Sequence, residues 1–147
     1  MPIPPSEVAW NEGHIADFRA HGGEITQGPL KGADVLLLTT TGVKSGDERL
    51  TPLGFTKDGE RWVVVASNSG YDHDPSWVAN IRAEPAVTVE VGTERFPARA
   101  TITTGAERDR LWAAHKAAIP IFERYETMTA RELPVVALER IAAGSAE

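Results

Sequence analysis

The sequence predicts an α+β fold, an antiparallel β-barrel of about six strands with an N-terminal helix and short helices flanking it. Three observations carry that expectation. Short runs rich in β-branched and aromatic residues dominate from Asp34 onward. Asp58-Gly59 and Gly92-Thr93 are tight-turn dipeptides between such runs, and they join neighbouring strands antiparallel. Strands and helices do not alternate regularly, as a doubly wound parallel sheet would require.

The first element is a helix near 6 to 20. Pro4-Pro5-Ser6-Glu7 supplies a cap at Ser6 and an acid in the first turn, Gly22-Gly23 supplies the exit, and Val8, Ile15 and Phe18 lie near one face. Asn11 and Gly13 weaken the helical pattern. Strands are expected at 34 to 41, 50 to 56, 61 to 67, 86 to 91, 95 to 103 and 134 to 140. Val87, Val89 and Val91 alternate with Thr88 and Glu90, which gives one buried and one wetter face, whereas the run Val63-Val64-Val65 is expected to be buried on both. Between these strands Asp74 reads as the cap of a helix over 75 to 83, with Pro75 in the first turn and Trp77, Asn80 and Ile81 at helical spacing. Thr104 and Glu107 form a capping-box pattern for a further helix that Ile119-Pro120 closes, and a short helix near 120 to 128 follows. Pro134 opens the last strand, and 142 to 147 is expected to fray.

With 147 residues, 41% of them apolar, the chain is sized for one domain over 1 to 147. It has no cysteine, which excludes disulfides, thiolate metal sites and a cysteine nucleophile. A net charge of −6 argues against broad nucleic-acid binding while leaving room for a local cationic pocket. No apolar run approaches the roughly 18 residues that span a bilayer, and MPIPPSEVAW lacks the basic and apolar regions of a signal peptide. The expected location is the cytoplasm.

The segment Leu37 to Leu53 carries the most chemistry. An apolar strand ends in a loop bounded by Gly42 and Gly46, and Lys44, Ser45 and Arg49 can give charged and neutral hydrogen bonds to a phosphate. On these residues alone the loop reads equally as an anion cradle or as a solvated hairpin. G-x-G-x-x-G and the Walker A loop are both absent, so a nucleotide-like ligand must be held another way. His14, His21, His73 and His115 have no metal-ligand spacing, and within Asp72-His73-Asp74 the expected role of Asp74 is the helix cap. Ser67 and Ser69 lack the G-x-S-x-G setting of a hydrolase; Ser67 instead ends an apolar strand, where its hydroxyl could hold the polar edge of a ring. Trp77, Trp112, Phe122 and Tyr125 could wall a flat ligand or fill the core. Arg131 could orient a carboxylate or cap a chain end.

Four spaced motifs then act together: Leu37-x-Thr39-Thr40-Thr41-Gly42-x-Lys44-Ser45-Gly46-x-x-Arg49-x-x-Pro52-Leu53, Val65-Ala66-Ser67-x-x-Gly70, Pro75-x-Trp77-x-x-Asn80 and Tyr125-x-x-x-Thr129-x-Arg131-x-x-Pro134. In order and spacing, from about Trp10 to Leu138, they resemble the deazaflavin-dependent nitroreductase and quinone reductase family, typical of actinobacteria. The resemblance implies a split β-barrel related to flavin-reductase barrels, with reduced coenzyme F420 as cofactor. It implies that Lys44, Ser45 and Arg49 hold the coenzyme's phosphate and acidic tail and that Thr51, Pro52 and Leu53 continue that wall. Ala66, Ser67 and Asn68 would lie beside the deazaflavin ring, and Pro75, Trp77 and Asn80 would shape the helix covering the coenzyme. Val43 stands where the family often has an arginine. Ile119 and Phe122 stand where nitro-reducing members can present tyrosines, so a more apolar pocket is expected, with Tyr125 keeping a hydroxyl.

The expected reaction passes a hydride from the reduced deazaflavin to a quinone, enone or nitro compound, with Ser67 and Tyr125 polarising the acceptor oxygen as catalytic groups. Two alternatives stand beside it: an FMN-binding reductase on the same barrel, and a non-catalytic carrier of the deazaflavin or an apolar ligand. Monomer or homodimer, and contact with a membrane to reach a lipophilic quinone, are left open by the sequence.

Overall fold

Val35 and Leu37 point to one side of their strand and Leu36 and Leu38 to the other, and all four are buried, so this strand is covered on both faces. The computed structural model describes residues 5–26, 31–67 and 74–141, with side chains described from Glu12 onward. In chain order these form α1 (Pro5–Ala20), β1 (Val35–Thr41), β2 (Glu48–Gly54), β3 (Thr56–Asp58), β4 (Arg61–Val65), α2 (Ser76–Ala83), β5 (Ala86–Val91), β6 (Glu94–Ile102), α3 (Gly105–Ala118), α4 (Ile121–Thr127) and β7 (Val135–Arg140). The strands make one sheet in the order β2-β1-β5-β6-β7-β4-β3, antiparallel at each pairing described.

The two edge strands of that order, β2 and β3, are separated in sequence by Phe55 alone. The sheet therefore curls until its edges meet at this residue, and the Phe55 amide donates to the Asp34 carbonyl at 3.1 Å to tie the corner. The curl gives the sheet an inside, filled by Leu36, Leu38, Val64, Val87, Val89, Phe96, Ala98, Val136 and Leu138 and plugged by Trp77, Val78 and Ile81 of α2. Outside, Phe18 of α1 and the nearby Ile25 cover Val35 and Leu37. Leu111 and Trp112 of α3 and Phe122 of α4 cover Val63, Val65 and Val135. The Val63-Val64-Val65 run is buried throughout because alternate residues enter these two different cores.

Expectation and structure agree on the helix and strand order, and on both hairpins, where Gly59 and Gly92 take φ of +61° and +59°. The differences are local. A seventh strand, β3, exists because the chain breaks at Gly54-Phe55 and crosses from one sheet edge to the other. Asp74 does not cap α2: Pro75 is the N-cap, and the Asp74 carboxylate is taken by Arg131 at 2.6 Å. Thr104 is the N-cap of α3 without a side-chain bond to its first turn, and Glu107, the other half of the capping-box pattern, turns instead to Arg61 at 3.1 Å. The Ser6 cap and Val8 face concern side chains outside the described residues, as does the tail 142–147. Among the described residues, no helix is long and apolar enough to cross a membrane.

Charges fasten α3 over the β3–β4 hairpin. Asp58 accepts from Arg110 and from Arg61, and these guanidiniums hold its carboxyl down at about 2. Under α3, His115 is fully buried; its Nδ1 lies 2.9 Å from Thr56 Oγ1, and its ring meets Phe122 edge-on at 4.5 Å. Burial pushes its imidazole down to about 4 from 6.5. As pH falls, the unfolded chain takes up this proton first. The stability gained by burying neutral His115 is therefore complete above pH 6.5 and is lost as pH falls toward 4, by up to about 3 kcal/mol. The Asp58 contribution disappears only below its unfolded value of 3.8. Thermal unfolding across pH 7 to 5 should show a falling melting temperature that His115→Leu flattens; an unchanged slope in the variant would assign the acid sensitivity elsewhere.

Candidate active site at one rim of the barrel

The strand registers bring one set of chain ends to a common rim. Antiparallel pairing sets the C-terminal ends of β1, β4 and β6 beside the N-terminal ends of β2, β5 and β7. The 42–47 loop, the chain after β4, α2 just before β5, and the 128–134 segment leading to β7 all leave the sheet there.

The 42–47 loop is closed by its own backbone. Gly42 N donates to the Asp47 carbonyl at 2.8 Å, Gly46 N donates to the Gly42 carbonyl at 2.9 Å, and Ser45 Oγ accepts from Asp47 N at 3.1 Å. A Cβ on Gly42 would stand 2.8 Å from Ser45 Oγ and 3.3 Å from the Asp47 carbonyl, so a side chain there would push Ser45 off its bond to Asp47; Gly46 takes φ of +73° at the turn. Lys44, Ser45 and Arg49 are exposed around it. Arg49 pairs with Thr40 across the ladder and shares its face of β2 with Thr51 and Leu53, and Leu53 packs against the inner core. Pro52 is buried on the opposite face with Leu37, because strand side chains alternate, so its side chain is separated from the Thr51 and Leu53 wall.

Asn80 ties this loop to α2. Buried to 5% exposure, it donates from Nδ2 to Thr40 Oγ1 at 3.0 Å and accepts the Val43 amide on Oδ1 at 3.2 Å. These two partners fix which end of the amide is oxygen. Trp77, in the same helix, is a plug of the inner core rather than an open wall.

Past β4, Ala66 N still donates to the Pro134 carbonyl at 2.9 Å, and Ala66 and Ser67 are both buried. Arg131 reaches across to this end: Nη1 lies 3.2 Å from the Ala66 carbonyl and Nη2 lies 2.8 Å from that of Ser67. Both sequence readings of Arg131 are thus realised, since it caps a chain end and pairs with the Asp74 carboxylate. Its sequence signal was its place in the fourth spaced motif, three residues before Pro134, which names no partner. Asn68, with Ser69, Gly70, Asp72 and His73, lies outside the described residues. Among the described residues, no group of three acidic or histidine side chains could hold a metal ion.

Tyr125 is half-buried on α4 and meets Phe122 edge-on at 5.5 Å. Phe122 and Trp112 belong to the outer core, with Ile119 packed against it. Glu126 accepts from Trp112 Nε1 and from Lys116 at 3.0 Å, which locks α4 to α3 and holds its own carboxyl below the usual range. The Cδ1 of Ile119 stands 3.8 Å from where a Gly54 Cβ would be, so the α3–α4 corner abuts the end of β2.

A curled antiparallel sheet with a cation-bearing loop and a braced polar strand end at one rim is the framework of a split-barrel reductase. A solved F420-H2 dependent reductase matches it with TM-score 0.67 and 36% identity, over 72% of this chain and 94% of that one. A solved domain-swapped dimer matches with TM-score 0.70 and 32% identity, over 90% of this chain and 98% of that one. Residues 10–140 match the family model described as F420H(2)-dependent quinone reductase, and the chain belongs to that family. An F420H(2)-dependent quinone reductase of Mycobacterium tuberculosis is 34% identical over 130 residues, 86% of this chain and 87% of its own length. The protein is therefore an F420H2-dependent reductase, with reduced coenzyme F420 as cofactor.

The Asn80 tether makes its own prediction. Asn80→Ala removes one buried and one half-buried hydrogen bond and should cost about 2 kcal/mol in urea unfolding. It should also speed amide exchange at Val43. Unchanged exchange there would mean that the loop holds its shape without α2.

Proposed function

We propose that the acceptor is a quinone, that enones and nitro compounds share its site as electron-poor alternatives, and that the rim described above holds coenzyme and acceptor together. The observation that carries this reading is the pairing of two exposed cations, Lys44 and Arg49, with a backbone-closed glycine loop in a chain of net charge −6. An anionic tail fits such a loop: the cations meet its charge and the Ser45 hydroxyl can donate to it. Thr51 and Leu53 continue the wall, with Pro52 contributing through its backbone. Ala66 and Ser67 lie beside the ring, while Pro75, Trp77 and Asn80 set the covering helix. Asn68 belongs to this proposal on the family resemblance alone.

Bound F420H2 supplies the hydride. The chain's own residues orient the acceptor, keep water out and meet the charge that grows on the acceptor oxygen. The Ser67 and Tyr125 hydroxyls are the proposed donors to that oxygen, and the proton that completes reduction comes from one of them or from solvent. Ile119 and Phe122 make the remaining wall apolar, which suits a quinone ring better than a strongly polar substrate. The protein is proposed to work in the cytoplasm and to meet lipophilic quinone at a membrane surface. Homodimer formation is proposed from the domain-swapped relative.

Titration by deazaflavin fluorescence tests the coenzyme site. The parent should bind F420 well above NADPH, and Lys44→Ala and Arg49→Ala should each weaken binding by about 1 to 3 kcal/mol with unchanged melting temperature. Equal binding in both variants would reduce the loop to a hairpin. Tight coenzyme binding without turnover on any acceptor would favour a carrier.

Steady-state kinetics on a soluble naphthoquinone tests the acceptor side. Tyr125→Phe removes one hydroxyl and keeps the ring contact with Phe122. Turnover should fall by about 10 to 1000-fold while coenzyme affinity holds, the range for losing an oxyanion donor. Undiminished turnover would leave Tyr125 a packing residue and pass the role to Ser67.

A further inference from the structure

We propose that Arg131 is a positioning residue that sets the Ser67 end of β4 against α2 for hydride transfer, without itself touching coenzyme or acceptor. The inference rests on the reading of Ser67 given under the proposed function.

In an extended strand, successive carbonyls point in opposite directions. The Ala66 and Ser67 carbonyls are successive, yet one guanidinium takes both, at 3.2 Å and 2.8 Å. The chain therefore abandons strand alternation at Ser67. In a trans peptide the N–H lies opposite the C=O, so the Ser67 N–H points away from Arg131. With its N–H and its carbonyl both fixed in direction, the Cα–Cβ bond of Ser67 is aimed as well, so the backbone sets the positions its hydroxyl can reach.

The same guanidinium donates to a third partner, the Asp74 carboxylate at 2.6 Å, immediately before the Pro75 cap of α2. Its own backbone is held as well, because the Arg131 amide donates to Thr129 Oγ1 at 3.2 Å. Arg131 thus joins three segments of the rim that are distant in sequence: the end of β4, the start of α2 and the approach to β7. Its side chain is only 15% exposed, so these bonds are largely shielded from water. A planar fork can serve two carbonyls and a carboxylate at once, which the single ammonium of lysine cannot do in the same geometry.

The coenzyme's anion loop is held at the other end of α2, through Asn80. Loss of Arg131 should therefore misplace the ring side of the site while leaving tail binding intact. A displacement near 1 Å at a reacting centre can cost on the order of 100-fold in rate.

The test compares parent, Arg131→Lys, Arg131→Ala and Asp74→Asn for kcat and KM on a soluble naphthoquinone, F420 affinity, the absorption maximum of bound oxidised F420, and melting temperature. Arg131→Lys should lower kcat by about 10-fold or more, shift the absorption maximum of the bound ring, and change F420 affinity by less than about 3-fold. Guanidinium chloride at millimolar concentration should restore part of the turnover of Arg131→Ala, and Asp74→Asn should show a smaller loss in the same direction. Arg131→Lys that is folded and turns over like the parent would overturn the proposal. So would a loss that follows the unfolded fraction, with no guanidinium rescue and no spectral shift. A parent that neither binds F420 nor oxidises F420H2 would instead defeat the functional reading, before any variant is compared.

Discussion

One residue, Phe55, separates the two edge strands of the sheet, and the rest of the architecture depends on that constraint. A seven-stranded sheet left flat would place β2 and β3 at opposite extremes, far beyond the reach of a single linking residue. The sheet must curl, and the curl turns one face into an interior. That interior is narrow enough to be filled by valine, leucine, alanine and one phenylalanine from the strands and by Trp77, Val78 and Ile81 of α2. The other face must be covered from outside, by α1 on one side and by α3 and α4 on the other.

The curl also gathers the chemistry. Groups far apart in sequence, such as the 42–47 loop and Arg131, reach the same rim because antiparallel registers alternate which strand ends lie there. The helix α2 then braces the rim from within. Asn80 holds the loop at one end, and Asp74, through Arg131, holds the end of β4 at the other. Each brace spends a polar side chain in a place where an unpaired one would be costly, and each is satisfied by bonds within normal distances. An enzyme whose hydride donor is a bound coenzyme needs chiefly such rigidity, because the rate depends on holding donor and acceptor in one geometry.

Much of this was legible in the amino-acid sequence. Periodicity and turn residues marked the helix and strand order, both hairpins and the two-sided burial of Val63-Val64-Val65, since these depend on neighbours a few residues away. The spaced motifs also carried the family and, through that resemblance, the coenzyme, because each motif is a short stretch of chain. Asp74 and Glu107 show the limit. Both stand where local rules predict helix capping, and both are drawn instead to arginines distant in the chain, Arg131 and Arg61. A guanidinium offers a carboxylate a full opposite charge and several N–H donors, where a helix cap offers single backbone amides, so the arginine takes the carboxylate when the fold brings it within reach.

The sequence by itself determined the class of barrel and the reductase family, since turn residues and short spaced motifs carry both. Only the tertiary structure decided that the sheet has a seventh strand, that Pro52 turns away from the wall of Thr51 and Leu53, that Trp77 fills the core, and that Arg131 joins β4 to α2. Strand parity and closure of the sheet set these outcomes. Both follow from which strands pair and in what register, a long-range result of packing that no short stretch of chain encodes.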